Sequence, residues 1–219
     1  MDNLKFMVEI KICGIKREKD LKTIIDLNVS WAGFVFYNKS VRSINRNDQI
    51  KLFKFAKNKI GIVALFVDPE DTLIEEVTTL IKPDLIQLHG SETPDRCKDI
   101  RFKTGIPIMK AIQLNKIENL KTVSAYENKV DRFLFDAKLT EAKLRGINTK
   151  PFEWQIVKHY EGKKDWMLAG GLNSSNIENA IKASGAKAVD VSSGVELSPG
   201  IKSKKLIKKF IDSANEFAL

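Results

Sequence analysis

Cysteine and histidine are scarce in this chain. Its 219 residues contain two cysteines, Cys13 and Cys97, and two histidines, His89 and His159. The two cysteines fall in predicted elements of different type and there is no secretory context, so we expect both to be free thiols. No cluster of histidine, cysteine and acidic residues has the spacing of metal ligands, so no metal site is expected.

Long apolar runs are also missing. The longest, from Ile62 to Val67, is far too short to cross a bilayer. The N-terminal residues lack the basic segment and long apolar segment of a signal peptide. We therefore expect a soluble, cytoplasmic protein with no membrane partner. A Ser-His-Asp grouping and a Walker loop are absent as well, so neither a catalytic triad nor a phosphate-binding Walker loop is predicted.

The charge balance is basic, with a formal net charge of +9. Such a charge can indicate nucleic-acid binding, because Lys and Arg displace counterions from phosphates. Here most lysines are spread through the predicted helices beside acidic neighbours, so no nucleic-acid partner is expected. One dense group fits the solvated face of a terminal helix: Lys202, Lys204, Lys205, Lys208 and Lys209. The positive field would still attract a small anionic substrate.

Strand-like and helix-like segments alternate along the chain. Short apolar runs predict eight strands: residues 8–12, 31–36, 61–67, 85–88, 107–112, 132–135, 166–169 and 188–191. Apolar spacing and capping residues predict a helix after each strand: 17–28, 48–58, from Asp68-Pro69, from Thr93-Pro94, 116–126, from near Phe152, after a cap at Asn173, and from about Lys202. A polar loop is predicted over residues 138–150.

This alternation predicts an α/β protein with a single (β/α)₈ TIM barrel. With 43% hydrophobic residues the chain can bury the core of one domain, and no linker divides residues 1–219. The competing architecture is an open, doubly wound sheet. Such sheets usually bind nucleotides through Gly-x-Gly-x-x-Gly after the first strand, and Cys13-Gly14-Ile15-Lys16 does not match that pattern.

Barrel enzymes carry their sites at the carboxyl ends of the strands. The first predicted strand alternates apolar residues with Glu9 and Lys11, as a half-buried strand does, and Gly14 then allows a turn beside Cys13. In a closed barrel Cys13 and Asp136 end strands that are three apart, so they should face each other across the mouth. This arrangement suits a base on one side of a substrate and an acid on the other.

Further polar residues and glycines end the remaining strands. Gly170-Gly171 follows the seventh strand and Ser192-Ser193-Gly194 follows the eighth, which are the loops that often bind phosphate in such barrels. Tight turns are the alternative explanation of these glycines. Arg42 could bind a carboxylate through two hydrogen bonds, or could simply be solvated. The other candidates at strand ends are listed here: Asp68, Gln87, His89 and Asp190.

Seven sequence blocks, in order along nearly the whole chain, resemble the phosphoribosylanthranilate isomerase family. They are Lys11-Ile12-Cys13-Gly14-Ile15, Gly33-Phe34-Val35-Phe36 with Ser40 and Arg42, Leu85-Ile86-Gln87-Leu88-His89-Gly90, Phe135-Asp136-Ala137, Phe152-Glu153-Trp154, Leu168-Ala169-Gly170-Gly171-Leu172, and Val189-Asp190-Val191-Ser192-Ser193-Gly194-Val195-Glu196.

The resemblance implies an Amadori rearrangement in tryptophan biosynthesis, without cofactor or metal. N-(5-phosphoribosyl)anthranilate would become 1-(2-carboxyphenylamino)-1-deoxyribulose 5-phosphate. By position, Asp136 would be the general acid, Cys13 the general base and Arg42 the ligand of the anthranilate carboxylate. The phosphate would bind at Gly170, Gly171 and Ser192 to Gly194. Gln87, His89 and Asp190 complete the predicted substrate-binding set, and the protein is expected to be a monomer or homodimer.

Three positions depart from the family pattern. The loop 138–150 has only Gly146 where the family is glycine-rich, Val41 replaces a usual proline, and Lys16 replaces a common threonine.

Three other functions remain as alternatives. The histidine-pathway isomerase uses two aspartates, indole-glycerol-phosphate synthase needs a lysine and a glutamate at strand ends, and a basic binding protein would not depend on Cys13.

Overall fold

The computed structural model describes residues 7–44, 46–136 and 154–216. Eight parallel strands close into a barrel in which β1 pairs with β2 and with β8, and every other strand pairs with its sequence neighbours. The strands β1 to β8 are Glu9–Cys13, Trp31–Val35, Gly61–Phe66, Leu85–Leu88, Ile108–Gln113, Arg132–Asp136, Asp165–Ala169 and Ala188–Val191. The predicted α/β class and TIM barrel are confirmed.

Helices follow the strands on the outside of the barrel. The α-helices α1 to α7 are Glu18–Asp26, Arg46–Ala56, Asp71–Ile81, Pro94–Thr104, Leu120–Val123, Ile177–Ser184 and Lys204–Glu216. Short 3₁₀ helices cover Ile117–Asn119, Ser124–Tyr126, Trp154–His159 and Ser193–Val195. In the part of the chain that the structure covers, no helix combines the length and apolar composition that a membrane span requires.

Two apolar layers hold the barrel together. The larger one lies between the sheet and the helices and includes Ile10, Ile12 and Phe210. The smaller one fills the barrel interior, with Met109, Leu134 and Met167 all fully buried. Because side chains alternate along a strand, each strand supplies both layers at once. The interior layer closes the barrel below its carboxyl-terminal rim.

One predicted helix start is wrong. Thr93 caps α4 as expected, since its hydroxyl accepts a hydrogen bond from the Arg96 N–H at 3.2 Å and Pro94 is the first helical residue. Asp68 does not cap α3, which begins at Asp71. The Asp68 carboxylate instead accepts a hydrogen bond from the Ser91 N–H at 2.6 Å, in the loop after β4, and Glu70 occupies the N-cap position of α3.

The predicted cap at Asn173 is also wrong, because α6 begins at Ile177. The Asn173 side chain accepts from the Ser175 N–H at 2.8 Å and so forms a turn before the helix. The helical span predicted for residues 116–126 is present, but only Leu120–Val123 is α-helical. The loop 138–150, and the helix start predicted near Phe152, lie outside the described residues.

The end of the chain differs from the prediction as well. The terminal helix α7 begins at Lys204, and Lys202 belongs to a small antiparallel pair of strands, β9 (Glu196–Ser198) and β10 (Ile201–Lys202). Lys204, Lys205, Lys208 and Lys209 are exposed as predicted. The Lys202 side chain is fully buried, so it is not part of that solvated face.

Candidate active site

A cavity of about 360 Å³ opens at the carboxyl-terminal rim of the barrel. It gathers nearly all of the candidates that the sequence places at strand ends. Its lining includes Cys13, Arg42, Gln87, His89, Asp136, Gly170, Gly171, Asp190, Ser192 and Ser193. Gly194 and Asp68 are not among the lining residues. A larger groove of about 800 Å³ lies between α3 and α4 and contains none of these candidates.

Cys13 sits at the last position of β1, where the chain turns away from the sheet. Gly14 has φ +78°, and the N–H groups of Gly14 and Ile15 both donate to the Gly33 carbonyl, at 2.8 and 3.0 Å. The Ser192 hydroxyl donates to the Cys13 carbonyl at 3.1 Å, which ties β1 to the loop after β8. Cys13 is a free thiol and 5% exposed, and Cys97 is likewise free, as predicted.

Lys11 occupies a place that the sequence did not suggest. The alternation in β1 predicts a half-buried strand, and this prediction is wrong at Lys11, which is fully buried inside the barrel. Its Nζ lies 2.9 Å from Asp190 Oδ1. Burial lowers the pKa of Lys11, but the charges of Asp190 and Cys13 outweigh it and the net pKa is raised. The residue is therefore an ammonium at neutral pH.

Burial raises the pKa of the Cys13 thiol, because the thiolate loses solvation. Lys11 gives the largest opposing contribution, and Lys202 opposes the rise as well. Asp190 acts in the same direction as burial, since its negative charge disfavours a second one nearby. Burial lowers the pKa of Lys202, in spite of its contact with Glu196. The thiol thus lies near the amino groups of Lys11 and Lys202 and the carboxylate of Asp190.

Asp136 ends β6 and belongs to a chain of three polar side chains. The Gln87 amide Nε2 donates to His89 Nδ1 at 2.8 Å, and His89 Nε2 lies 3.4 Å from Asp136 Oδ2. The other carboxylate oxygen, Oδ1, is buried and has no hydrogen-bond partner among the described residues. One oxygen of Asp136 thus lies beside His89, while the second is buried without a hydrogen-bond partner in the described part of the chain.

Arg42 is anchored by Glu196, a contact that sequence reasoning missed. Arg42 Nε and Nη2 donate to the two carboxylate oxygens of Glu196 at 2.9 and 2.6 Å. Lys202 Nζ donates to Glu196 Oε1 at 2.8 Å and to the Ser192 carbonyl at 3.1 Å. Desolvation alone would raise the pKa of Glu196, but the two cations outweigh it and the pKa is lowered. Glu196 is therefore an anion that holds two cations at the rim.

Two of the departures from the family pattern contact each other. The Lys16 ammonium donates to the Val41 carbonyl at 2.9 Å, just before Arg42. The Arg42 N–H also donates to the Ser40 hydroxyl at 3.1 Å. The backbone that carries Arg42 is therefore held by side-chain contacts where a proline would restrict it directly.

The glycines of the last two loops are required by backbone geometry. Gly170 and Gly171 have φ +99° and +65°, a region that favours glycine. A Cβ on Gly194 would lie 1.9 Å from the Leu172 carbonyl oxygen, so the loops after β7 and β8 approach each other only because Gly194 lacks a side chain. Gly194 is not a lining residue, but it allows the close approach of the two loops that line the cavity.

Comparison with known proteins extends this picture. The family model of N-(5'phosphoribosyl)anthranilate (PRA) isomerase matches residues 10–213. The N-(5'-phosphoribosyl)anthranilate isomerase of Paramagnetospirillum magneticum is 42% identical over 208 residues, which are 94% of this chain and 97% of that protein. That of Rhizobium leguminosarum bv. trifolii is 40% identical over 209 residues, covering 95% and 94% of the two chains.

Two solved structures show the same barrel. Phosphoribosyl anthranilate isomerase from Thermotoga maritima has a TM-score of 0.85 and 33% identity, with 96% of this chain and all of that chain covered. A second phosphoribosyl anthranilate isomerase structure, in complex with reduced 1-(o-carboxyphenylamino)-1-deoxyribulose 5-phosphate, has a TM-score of 0.83 and 31% identity over 96% of this chain and 100% of that chain.

A closed (β/α)₈ barrel with ionisable side chains and glycine loops around one rim cavity defines the class of TIM-barrel enzymes. Within that class the sequence match extends over almost the entire chain. The chain belongs to the phosphoribosylanthranilate isomerase family, and it is an isomerase of tryptophan biosynthesis.

Proposed function

We propose that Cys13 is the general base and Asp136 the general acid of an Amadori rearrangement. The substrate is N-(5'-phosphoribosyl)anthranilate and the product is 1-(2-carboxyphenylamino)-1-deoxyribulose 5-phosphate. The observation that carries the proposal is that the two residues, which end β1 and β6, line one cavity. A thiol and a carboxyl group on either side of a bound sugar can give and take protons at different atoms.

Asp136 acts first. Its protonated carboxyl group gives a proton to the furanose ring oxygen while the anthranilate nitrogen forms a double bond to ribose carbon 1. The ring opens to an iminium ion, and Asp136 is left as a carboxylate. Asp136 has few competing contacts in the described part of the chain, because Oδ2 lies 3.4 Å from His89 Nε2 and the buried Oδ1 has no hydrogen-bond partner.

Cys13 acts second. Its thiolate removes the proton from ribose carbon 2, and the electron pair moves towards the iminium nitrogen to give an enolamine. Proton addition at carbon 1 and proton loss from the carbon 2 hydroxyl then give the ketone. The iminium makes carbon 2 acidic, so a thiolate is strong enough as the base. Lys11 and Lys202 favour the thiolate.

The substrate has an anion at each end, and each end has a matching place at the rim. Arg42 binds the anthranilate carboxylate. Glu196 occupies Arg42 Nε and Nη2, so a substrate carboxylate binds through Nη1 or displaces Glu196. The phosphate binds at Gly170, Gly171 and residues 192–194, where backbone N–H groups can face an anion. The complex of the similar isomerase with a reduced phosphate-containing ligand supports this class of substrate.

Organisation and location complete the proposal. We place one barrel domain over residues 1–219, in the cytoplasm. One similar structure, 32% identical, is of monomers generated from the dimeric Thermotoga maritima enzyme. The assembly of this chain as a monomer or homodimer is measured directly by sedimentation velocity.

Turnover of freshly prepared phosphoribosylanthranilate, followed by fluorescence, tests the roles of the two residues. Cys13→Ser and Asp136→Asn should each reduce kcat by about 10²-fold or more, the contribution that a general acid or base makes. Cys97→Ala and Asp95→Asn are matched controls, because Cys97 and Asp95 do not line the cavity. Both controls should retain activity. Activity near the wild-type level in folded Cys13→Ser would refute Cys13 as the base, and the same result in Asp136→Asn would refute Asp136 as the acid.

A further inference from the structure

Lys11 is a buried cation on the same side of β1 as Cys13. Residues two apart on a strand point to one face, so both side chains enter the barrel interior. β1 pairs with β8 so that Lys11 lies opposite Asp190, and the Lys11 ammonium lies 2.9 Å from the Asp190 carboxylate. Nothing in the sequence pattern of β1 assigns Lys11 a role. A fully buried lysine two residues from the proposed base therefore needs an explanation.

Gly33 brings the two side chains together. It is the residue of β2 that pairs with Cys13. A Cβ on Gly33 would lie 3.0 Å from Cys13 Sγ and 3.1 Å from Lys11 Cε, so both side chains pack over the same glycine. Sγ and Cε are then within about 6 Å of each other, a range in which an opposite charge favours an ionised group.

The charges around the thiol come from four elements. Lys11 is on β1, Asp190 on β8, Lys202 on β10, and Arg42 in the segment after β2. Lys11 opposes the effect of burial on the thiol more strongly than any other of these groups. The negative charge of Asp190 has the opposite effect and disfavours the thiolate. Replacing Lys11 and replacing Asp190 should therefore move the thiol in opposite directions.

We propose that Lys11 is a positioning residue for Cys13: its buried ammonium stabilises the thiolate, and Asp190 holds that ammonium in place and moderates its effect. The catalytic consequence rests on the proposed function, in which Cys13 is the base. The electrostatic statement does not, because it concerns the thiol of the resting protein.

The direct test is the pH dependence of Cys13 alkylation by iodoacetamide, since only the thiolate reacts at a useful rate. The measurement uses a Cys97→Ala background, which removes the other thiol. Below the titration midpoint, Lys11→Met should slow alkylation about tenfold, the effect of one pKa unit on the thiolate fraction. Asp190→Asn should accelerate it. Equal titration curves for Lys11→Met and the background protein would overturn the proposal.

A second comparison keeps the test decisive if Lys11→Met does not fold, because that variant leaves Asp190 buried without its partner. The double variant Lys11→Met with Asp190→Asn removes both charges. Its thiol should titrate at higher pH than that of Asp190→Asn alone, and coincident curves for these two variants would contradict the proposal.

Lys110→Met is the matched control for loss of a buried lysine. The Lys110 side chain is 3% exposed and its Nζ lies 2.8 Å from Glu92 Oε2, and Lys110 does not line the rim cavity. It should not shift the pH dependence of Cys13 alkylation.

The pH profile of kcat/KM measures the catalytic consequence. In Lys11→Met this profile should shift to higher pH, as the titration of the thiol does. If Cys13→Ser stays active, the proposed function fails while alkylation still decides the role of Lys11. If Cys13→Ser is inactive and Lys11→Met leaves the thiol unchanged, only the present inference fails.

Discussion

Arg42 and Glu196 are 154 positions apart in the chain and are joined by two hydrogen bonds of 2.9 and 2.6 Å. The pair connects the segment after β2 with the start of β9. Glu196 also binds Lys202, whose side chain is fully buried, while the Glu196 side chain is 4% exposed. Arg42 thus reaches the cavity from a fixed position rather than from a solvated loop.

Loss of the Glu196 charge should destabilise the protein. Glu196→Gln leaves the buried Lys202 without its anion, and the expected loss is about 3 kcal/mol in the free energy of unfolding. Urea denaturation measures it. Asp212→Asn is the control, because Asp212 and its partner Lys208 are more than half exposed, and a change within about 0.5 kcal/mol is expected there. Equal losses in the two variants would contradict the role of the buried network.

Gly14 should be needed for the position of Arg42 as well as for the turn. A Cβ on Gly14 would lie 2.7 Å from Arg42 Cδ. Gly14→Ala and Gly105→Ala place alanine at φ +78° and +65°, so each should lose about 1 kcal/mol of stability. Gly105 has no neighbour within 4 Å of such a Cβ. Steady-state kinetics should therefore show a raised KM for Gly14→Ala and an unchanged KM for Gly105→Ala.

The contact between Gly194 and Leu172 gives a prediction for the proposed phosphate site. Alanine at Gly194 would place Cβ 1.9 Å from a backbone oxygen, and the two loops must separate to admit it. We expect Gly194→Ala to weaken substrate binding about tenfold or more, because small displacements in a positioning site have large effects. Competitive inhibition by inorganic phosphate should weaken in parallel. Gly185→Ala, with φ +74° and open space around the Cβ, should change stability but not phosphate inhibition.

The ion pair at the opposite end of the barrel should make stability depend on pH. Glu9 accepts two hydrogen bonds from Arg132, at 2.7 and 2.6 Å, and another from Trp31. Burial by itself raises the pKa of Glu9, but these donors outweigh it and the pKa lies below 4.5. Because the pKa of Glu9 is lowered in the folded state, the stabilisation by its carboxylate is fully present above pH 4.5. It is lost as the pH falls through the folded-state pKa.

Glu9→Gln should therefore be less stable than wild type by about 1 to 2 kcal/mol at neutral pH, an amount reduced by partial solvent exposure. The difference between the two proteins should shrink in acid, as wild-type Glu9 becomes protonated. Urea unfolding at pH 7 and at pH 3.5 measures it. A constant difference across this range would show that the carboxylate charge does not stabilise the fold.

The positions of the strands could be predicted because their signals are local. Apolar runs such as Trp31–Val35 and Gly61–Phe66 end at residues that leave the sheet, and parallel closure then brings all carboxyl ends to one rim. Ten of the eleven residues predicted to be catalytic or substrate-binding line the cavity for this reason. Helix starts were less predictable. Asp68 is a residue type that commonly caps helices, but its carboxylate accepts a hydrogen bond from the N–H of Ser91, 23 positions away.

The sequence by itself determined the order of the strands, and hence that Cys13, Asp136 and the two glycine loops meet at one rim. Only the tertiary structure decided which charges surround them. Lys11 and Asp190 are 179 positions apart, and both Lys11 and Lys202 look like ordinary surface lysines in the sequence. A buried ion pair depends on partners that come close only when the barrel closes, so no local pattern records it.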